Sequence, residues 1–171
     1  MGEAGYVFEV VAPEAEEVMD ATDPAGTVAR NAAAKHDVCR ALRPNAAVLA
    51  ADTLVWFDGR LVGKPRDEDE AAAFLRDFSG RPQTVFTAVA FSRPGEARPR
   101  LRIEASVVRF RPLSEERIAE YVRLVKPLDR AGAYDVDEHG DMLVEEIVGS
   151  FTNVVGLPME VVRELLGEDW K

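Results

Sequence analysis

LAADTLVWFDGRLVGKP, Leu49–Pro65, is an apolar run that ends on a carboxylate, resumes, turns at Asp58-Gly59 and returns through a lysine. The run into it, AAVLAAD, is continuous and of strand length, which predicts a strand buried on both faces. Asp58-Gly59 between Val55, Trp56, Leu61 and Val62 is a strong two-residue hairpin signal, because both residue types tolerate the positive φ such turns demand. A strand that finishes on Asp52 and Thr53 needs a reason. In open α/β sheets ligands bind beyond strand ends, where an aspartate can hold a divalent cation or take a proton from water. The structural alternative is an aspartate that caps a turn. Lys64, between a glycine and a proline, sits on a rigid return from the hairpin.

Strands and helices alternate on either side of this stretch. YVFEVVAP predicts an opening strand. Asp23-Pro24 reads as N-cap and first helical residue of a helix that ends before Pro44, with the apolar stripe Val28, Ala32, Cys39 and Leu42. Lys35 falls inside that stripe, seven residues after Val28. It either snorkels past the helix edge or faces something other than the core. RDEDEAAAFLRDFSG predicts a helix with acidic residues in its first turn, an apolar face of Ala71, Phe74, Leu75 and Phe78, and a stop at Gly80. TVFTAVAFS and LRIEASVVRF predict strands, the second alternating through Leu101, Ile103 and Ala105. LSEERIAEYVRLVKP predicts a helix capped by Ser114, with Leu113 and Ile118 as a hydrophobic staple. DMLVEEIV predicts a strand and LPMEVVRELLG a last short helix. This order predicts a single α/β domain with a mixed sheet.

Composition limits the function. The chain has 171 residues, 47% of them hydrophobic, and a formal net charge of -10. It is long enough for a substantial core, and its acidity argues against nonspecific binding of nucleic-acid polymers or anionic membranes. A small phosphorylated ligand stays open, since a pocket can gather a few cations or a metal on an acidic surface. One cysteine, Cys39, excludes an internal disulfide, and two histidines, His36 and His139, argue against a histidine-rich metal site, so any metal would sit on oxygen ligands. No stretch approaches membrane-span length, and residues 1–29 hold no Lys or Arg, which argues against a leader and makes the cytoplasm the expected location. Walker, G-x-S-x-G, G-x-G-x-x-G and H-E-x-x-H motifs are absent, leaving no support for a serine or cysteine nucleophile. DVDEHGDMLVEE partly matches a calcium loop through Asp135, Asp137, Gly140 and Glu146. His139 stands where Asp or Asn is preferred, and a strand is predicted where a calcium loop needs a helix.

Taken together, AADTLVWFDGRLVGKPRDEDEAAAFLRDFSG, TAVAF, DRAGAYDVDEHG and GSFTNVVGLPMEVV resemble the Maf family of nucleoside triphosphate pyrophosphatases, in order and at similar spacing, from about Tyr6 to Leu166. The resemblance implies an elongated α/β fold with flanking helices and a central cleft, a divalent cation (Mg or Mn), and a homodimer in several members. It implies hydrolysis of a nucleoside triphosphate, including non-standard ones, between its α and β phosphates to a monophosphate and pyrophosphate. On the matching positions, Asp52 would be the proton acceptor and a metal-associated base, Thr53 a specificity position, and Glu17 a second metal carboxylate. Lys35 and Lys64 would meet phosphate oxygens, which gives Lys35 a cleft to face. Such a set suits a reaction that needs charge neutralisation and a positioned water rather than covalent chemistry.

Two departures qualify the match. Family members open with a strand and a Ser-x-Ser-Pro-Arg-Arg segment whose arginines are expected to bind the triphosphate, and no Ser-Pro-Arg-Arg occurs in these residues. The first reading is a start assigned too late, with one strand missing. The alternative is a catalytically impaired nucleotide-binding or regulatory homologue. Second, where the family has D-K-A-G-A-Y-x-x-Q, this chain has Arg130 for the lysine and Asp137 for the glutamine. A glutamine amide both donates and accepts, whereas an ionised aspartate only accepts. Asp137 therefore suits a base presenting an amino group, or a metal, and a thymine or uracil preference does not follow.

Overall fold

The computed structural model describes residues 1–2 and 5–167. Asp23 accepts a hydrogen bond from the Gly26 N–H and, with Pro24 at the first position, starts helix α1, Pro24–Leu42. Strand β1, Val48–Phe57, then turns at Asp58 and Gly59, both at positive φ, into the short β2, Arg60–Val62. Helix α2, Glu68–Phe78, is capped by Asp67, and Gly80 at φ 68° ends its exit turn. Strands β3, Pro82–Ser92, and β4, Arg100–Phe110, follow, then helix α3, Glu115–Val125, capped by Ser114. The remainder is a loop with 3-10 turns at Ala131–Ala133 and Gly140–Met142, strand β5, Val144–Val148, and helices α4, Phe151–Val155, and α5, Met159–Leu166.

The strands form one sheet in the order β2-β1-β3-β4-β5. The α/β class and the helices on both faces are as expected, whereas the sheet anticipated as mixed is antiparallel in every pairing among the described residues. Connectivity explains this. After the hairpin, α2 returns the chain to the end of the sheet where β1 finished, so β3 begins beside Trp56, which pairs with Thr84, and runs back along β1.

Period-two alternation divides the core. Val55, Val85 and Val89 point to the side carrying α2, α3 and α5, with Phe78 fully enclosed between Phe57 and Phe110 at ring-centroid separations of 4.9 and 5.3 Å. Burying that ring contributes about 3 kcal/mol. Leu54, Ala88 and Ala90 point the other way, onto Val28 and Ala32 of α1. The small residues of β3 let the helix approach closely.

Four expectations need correction. Tyr6–Val11 forms no strand, and Val7, Phe8 and Val10 are exposed, because no strand among the described residues lies beside it to supply its backbone with partners. Leu42 is exposed at the last turn of α1 rather than closing its stripe. In β4 the buried alternation runs through Ser106, Val108 and Phe110, while Ile103 lies on the exposed half of the strand. The strand foreseen over DMLVEEIV begins only at Val144, since Gly140–Met142 winds into a 3-10 turn. No helix of the described residues is long and apolar enough to cross a membrane.

Candidate active site

The strand expected to finish on Asp52 and Thr53 runs on to Phe57, so both residues lie in the middle of β1, paired with Ala88 and Thr87, and the site sits across the faces of the strand and not beyond its end. They leave β1 on opposite faces of the sheet. Asp52 is buried, 6% exposed, on the α1 side. Its Oδ1 lies 2.6 Å from the Lys35 ammonium, and its Oδ2 accepts from the Asn31 carboxamide at 3.1 Å. The same ammonium lies 2.8 Å from Glu17 Oε1. Two carboxylates from distant parts of the chain thus share one cation. The anomaly in the α1 stripe is resolved: Lys35 faces this cluster and not the apolar core. Burial works against its charge, but the hydrogen bonds it donates to Asp52 and Glu17 outweigh it and hold the Lys35 pKa above its ordinary value.

Thr53 faces the other side. Its hydroxyl lies 2.9 Å from that of Thr87, its cross-strand partner, and donates to the Gly156 carbonyl at 3.1 Å. Gly156 ends α4 at φ 112°, and Asn153, fully buried in that helix, donates to the Val85 carbonyl and to Ser106 Oγ, fastening α4 to the sheet. The GSFTNVVGLP stretch is therefore a clasp that delivers a carbonyl to Thr53. Beside it lies a cavity of about 170 Å³ whose wall includes Thr53, Arg130, Tyr134, Asp135 and Gly156. Arg130 pairs with Asp135 at 3.1 Å. Gly132, at φ 76°, sits against the Tyr134 ring and Val55, and its N–H donates to the Gly63 carbonyl, tying the AGAY turn to the GKP return. The positive φ strains any side chain there, and a Cβ would press on the ring at 3.2 Å, which accounts for glycine.

The remaining expected residues lie apart. Lys64 is exposed on the return from β2 and makes no ion pair among the described residues. Asp137 is exposed, with its N–H bound to Asp135 Oδ1 at 2.9 Å, and is not part of the cavity wall. The acidic residue of that loop in the cavity wall with Thr53 is Asp135, which the sequence singles out only as part of the calcium-loop match. Asn31 and the Thr87 hydroxyl were missed, although a polar residue three after Val28 breaks the α1 stripe as Lys35 does. The calcium-loop match is set aside by the strand β5, where Glu146 pairs with Arg109 at 3.2 Å.

Fold and site together define an α/β protein in which Asp52 of β1 joins Lys35 of α1 and Glu17 of the preceding segment in a carboxylate–ammonium–carboxylate cluster on one face of the sheet, with a small cavity of mixed polar and apolar lining on the other. The chain belongs to the Maf family, whose profile, described as Maf-like protein, matches residues 1–169. It is 39% identical over 163 residues to a dTTP/UTP pyrophosphatase of Akkermansia muciniphila, covering 95% of this chain and 85% of that protein. With the dTTP/UTP pyrophosphatase of Deinococcus radiodurans it shares 39% identity over 166 residues, covering 97% and 84%. A third relative of the same name, from Symbiobacterium thermophilum, is 41% identical over 165 residues, covering 96% and 84%.

Proposed function

We propose that this chain is a nucleoside triphosphate pyrophosphatase that cleaves the α–β phosphoanhydride to a monophosphate and pyrophosphate, with dTTP and UTP as its first candidate substrates. The observation that carries the reading is the buried Asp52 held by Lys35 and shared through it with Glu17. Family membership and the names of the relatives support the same reaction.

The cluster fits a divalent cation. Two carboxylates within reach of a single ammonium offer the hard oxygen ligands that magnesium or manganese takes, and one or two carboxylates suffice when substrate phosphates and waters complete the shell. Glu17 and Asp52 would hold it. When bound, it would neutralise phosphate charge and favour ionisation of a water.

The chain's own residues divide the remaining work. Asp52 accepts the proton of the attacking water, with its carboxylate fixed at both oxygens before substrate arrives. Lys35 passes from the carboxylates to phosphate oxygens as negative charge builds, and Lys64 reaches the phosphates from the hairpin return. The nucleoside crosses the edge of β1, which β2 covers only at Val55–Phe57, and meets Thr53, Arg130 and the Gly156 carbonyl on the far face. Asp137, exposed on the loop behind Asp135, acts on specificity through that loop.

The test is pyrophosphate release from a panel of nucleoside triphosphates with magnesium or manganese, beside Asp52→Asn. Turnover of one or more triphosphates, lost in the variant, is the expected result. No release from any of them would overturn the reading.

A further inference from the structure

The segment carrying Glu17 has no regular structure from residue 12 to residue 20, and its residues 16–20 are exposed. Its docking rests on few contacts. Asn31, 1% exposed in the middle of α1, grips its backbone beside Glu17, while the Thr27 hydroxyl donates to the Asp20 carbonyl at 3.1 Å at the segment's end. The Asn31 Oδ1 accepts from the Val18 N–H at 2.9 Å, and Nδ2 donates to the Val18 carbonyl at 3.1 Å. A carboxamide thereby offers Val18 the donor and acceptor pair that a neighbouring strand would offer. The same Nδ2 donates to Asp52 Oδ2 at 3.1 Å. One buried side chain thus touches both the Asp52 carboxylate and the residue next to Glu17.

We propose that Asn31 is a positioning residue that fixes Glu17 against Asp52, so that the two carboxylates bind the divalent cation as one unit. This rests on the pyrophosphatase reading for its kinetic consequences and on the geometry alone for its effect on metal binding. Without Asn31, what is left among the described residues is the exposed bond from Lys35 to Glu17 itself and, three and four residues further on, the bonds from the Thr27 hydroxyl to the Asp20 carbonyl and from the Trp56 indole to the Ala21 carbonyl. The Lys35 bond is lost whenever Lys35 moves to phosphate, and the segment is then anchored only from Asp20 onward, which leaves the Glu17 carboxylate free to swing.

The test is a double-mutant cycle of Asn31→Leu, which keeps the branched side-chain shape and removes its donor and acceptor, with Glu17→Gln. Val18→Pro is a second route: it removes the N–H that Asn31 grips while leaving the buried face of α1 untouched. Two readouts are used, manganese binding by calorimetry without nucleotide and the manganese dependence of pyrophosphate release. Asn31→Leu and Val18→Pro are expected to weaken manganese about tenfold and to lower kcat more than they raise KM. Glu17→Gln should cost about tenfold in the native background and less than twofold beside Asn31→Leu. A Glu17→Gln effect of equal size in both backgrounds, or unchanged manganese affinity in Val18→Pro, would overturn the assignment. If the native protein turns over no triphosphate, the functional reading fails and the manganese titration alone decides the role of Asn31.

Discussion

Lys35 lies 2.6 Å from Asp52 across the α1–β1 interface, on a helix stripe otherwise given to Val28, Ala32 and Cys39. The pair costs desolvation and gains a cation positioned beside a buried carboxylate. Lys35→Met leaves that carboxylate uncompensated and is expected to destabilise the fold by about 3 kcal/mol. Lys35→Met with Asp52→Asn should recover most of it, read from urea denaturation midpoints. Asp52→Asn alone should lower pyrophosphate release by roughly 100-fold or more, the scale of a lost general base, with the fold retained.

Tyr121 checks the loop behind the cavity. It accepts from the Asp135 N–H at 2.9 Å and donates to the Asp135 carbonyl at 3.2 Å. Burial raises its pKa from 10.0 to about 12. A folded value above the unfolded one means the native state holds the proton more tightly. This contribution is complete below pH 10 and is lost as pH rises toward 12. Phenolate absorbance of the native protein should show this tyrosine ionising near pH 12, and Tyr121→Phe should remove that step and cost about 1–2 kcal/mol.

Thr53→Val keeps the side-chain shape and removes the hydroxyl that bonds Gly156. A loss of about 1 kcal/mol in stability is expected, with KM for the nucleotide raised severalfold and kcat within about twofold. A fall confined to kcat would place Thr53 with the chemistry instead of with nucleoside binding.

Arg130→Met breaks the pair with Asp135 in the cavity wall and should raise KM about tenfold. Arg130→Lys keeps the charge but not the planar fork, and should fall between the two. Asp137→Gln, at an exposed position, should shift the ratio of kcat/KM between dTTP and dCTP while changing stability by less than about 0.5 kcal/mol.

Much of the fold was legible because local rules and tertiary structure agreed. Asp23-Pro24, Asp58-Gly59 and Ser114 each carry their own stop, turn or start, since caps and tight turns are decided by backbone chemistry within a few residues. YVFEVVAP was misread because its β-branched pattern describes a strand only where a neighbour supplies hydrogen bonds. The same limit applies to the phase of β4, where alternation fixes the period but packing against α3 and Tyr134 selects the buried set.

The site divides in the same way. The sequence by itself determined the carriers of the chemistry: Asp52 at the end of an apolar run, Lys35 out of place in a stripe, an acid-rich segment holding Glu17, and a family pattern spanning the chain. Only the tertiary structure decided who stands beside whom. Asp52 and Thr53 are adjacent in the chain and face opposite sides of the sheet, because successive side chains of a strand alternate. Glu17 and Asp52 are far apart in the chain and share one ammonium, because α1 packs its Lys35 and Asn31 against β1 and holds the acidic segment there.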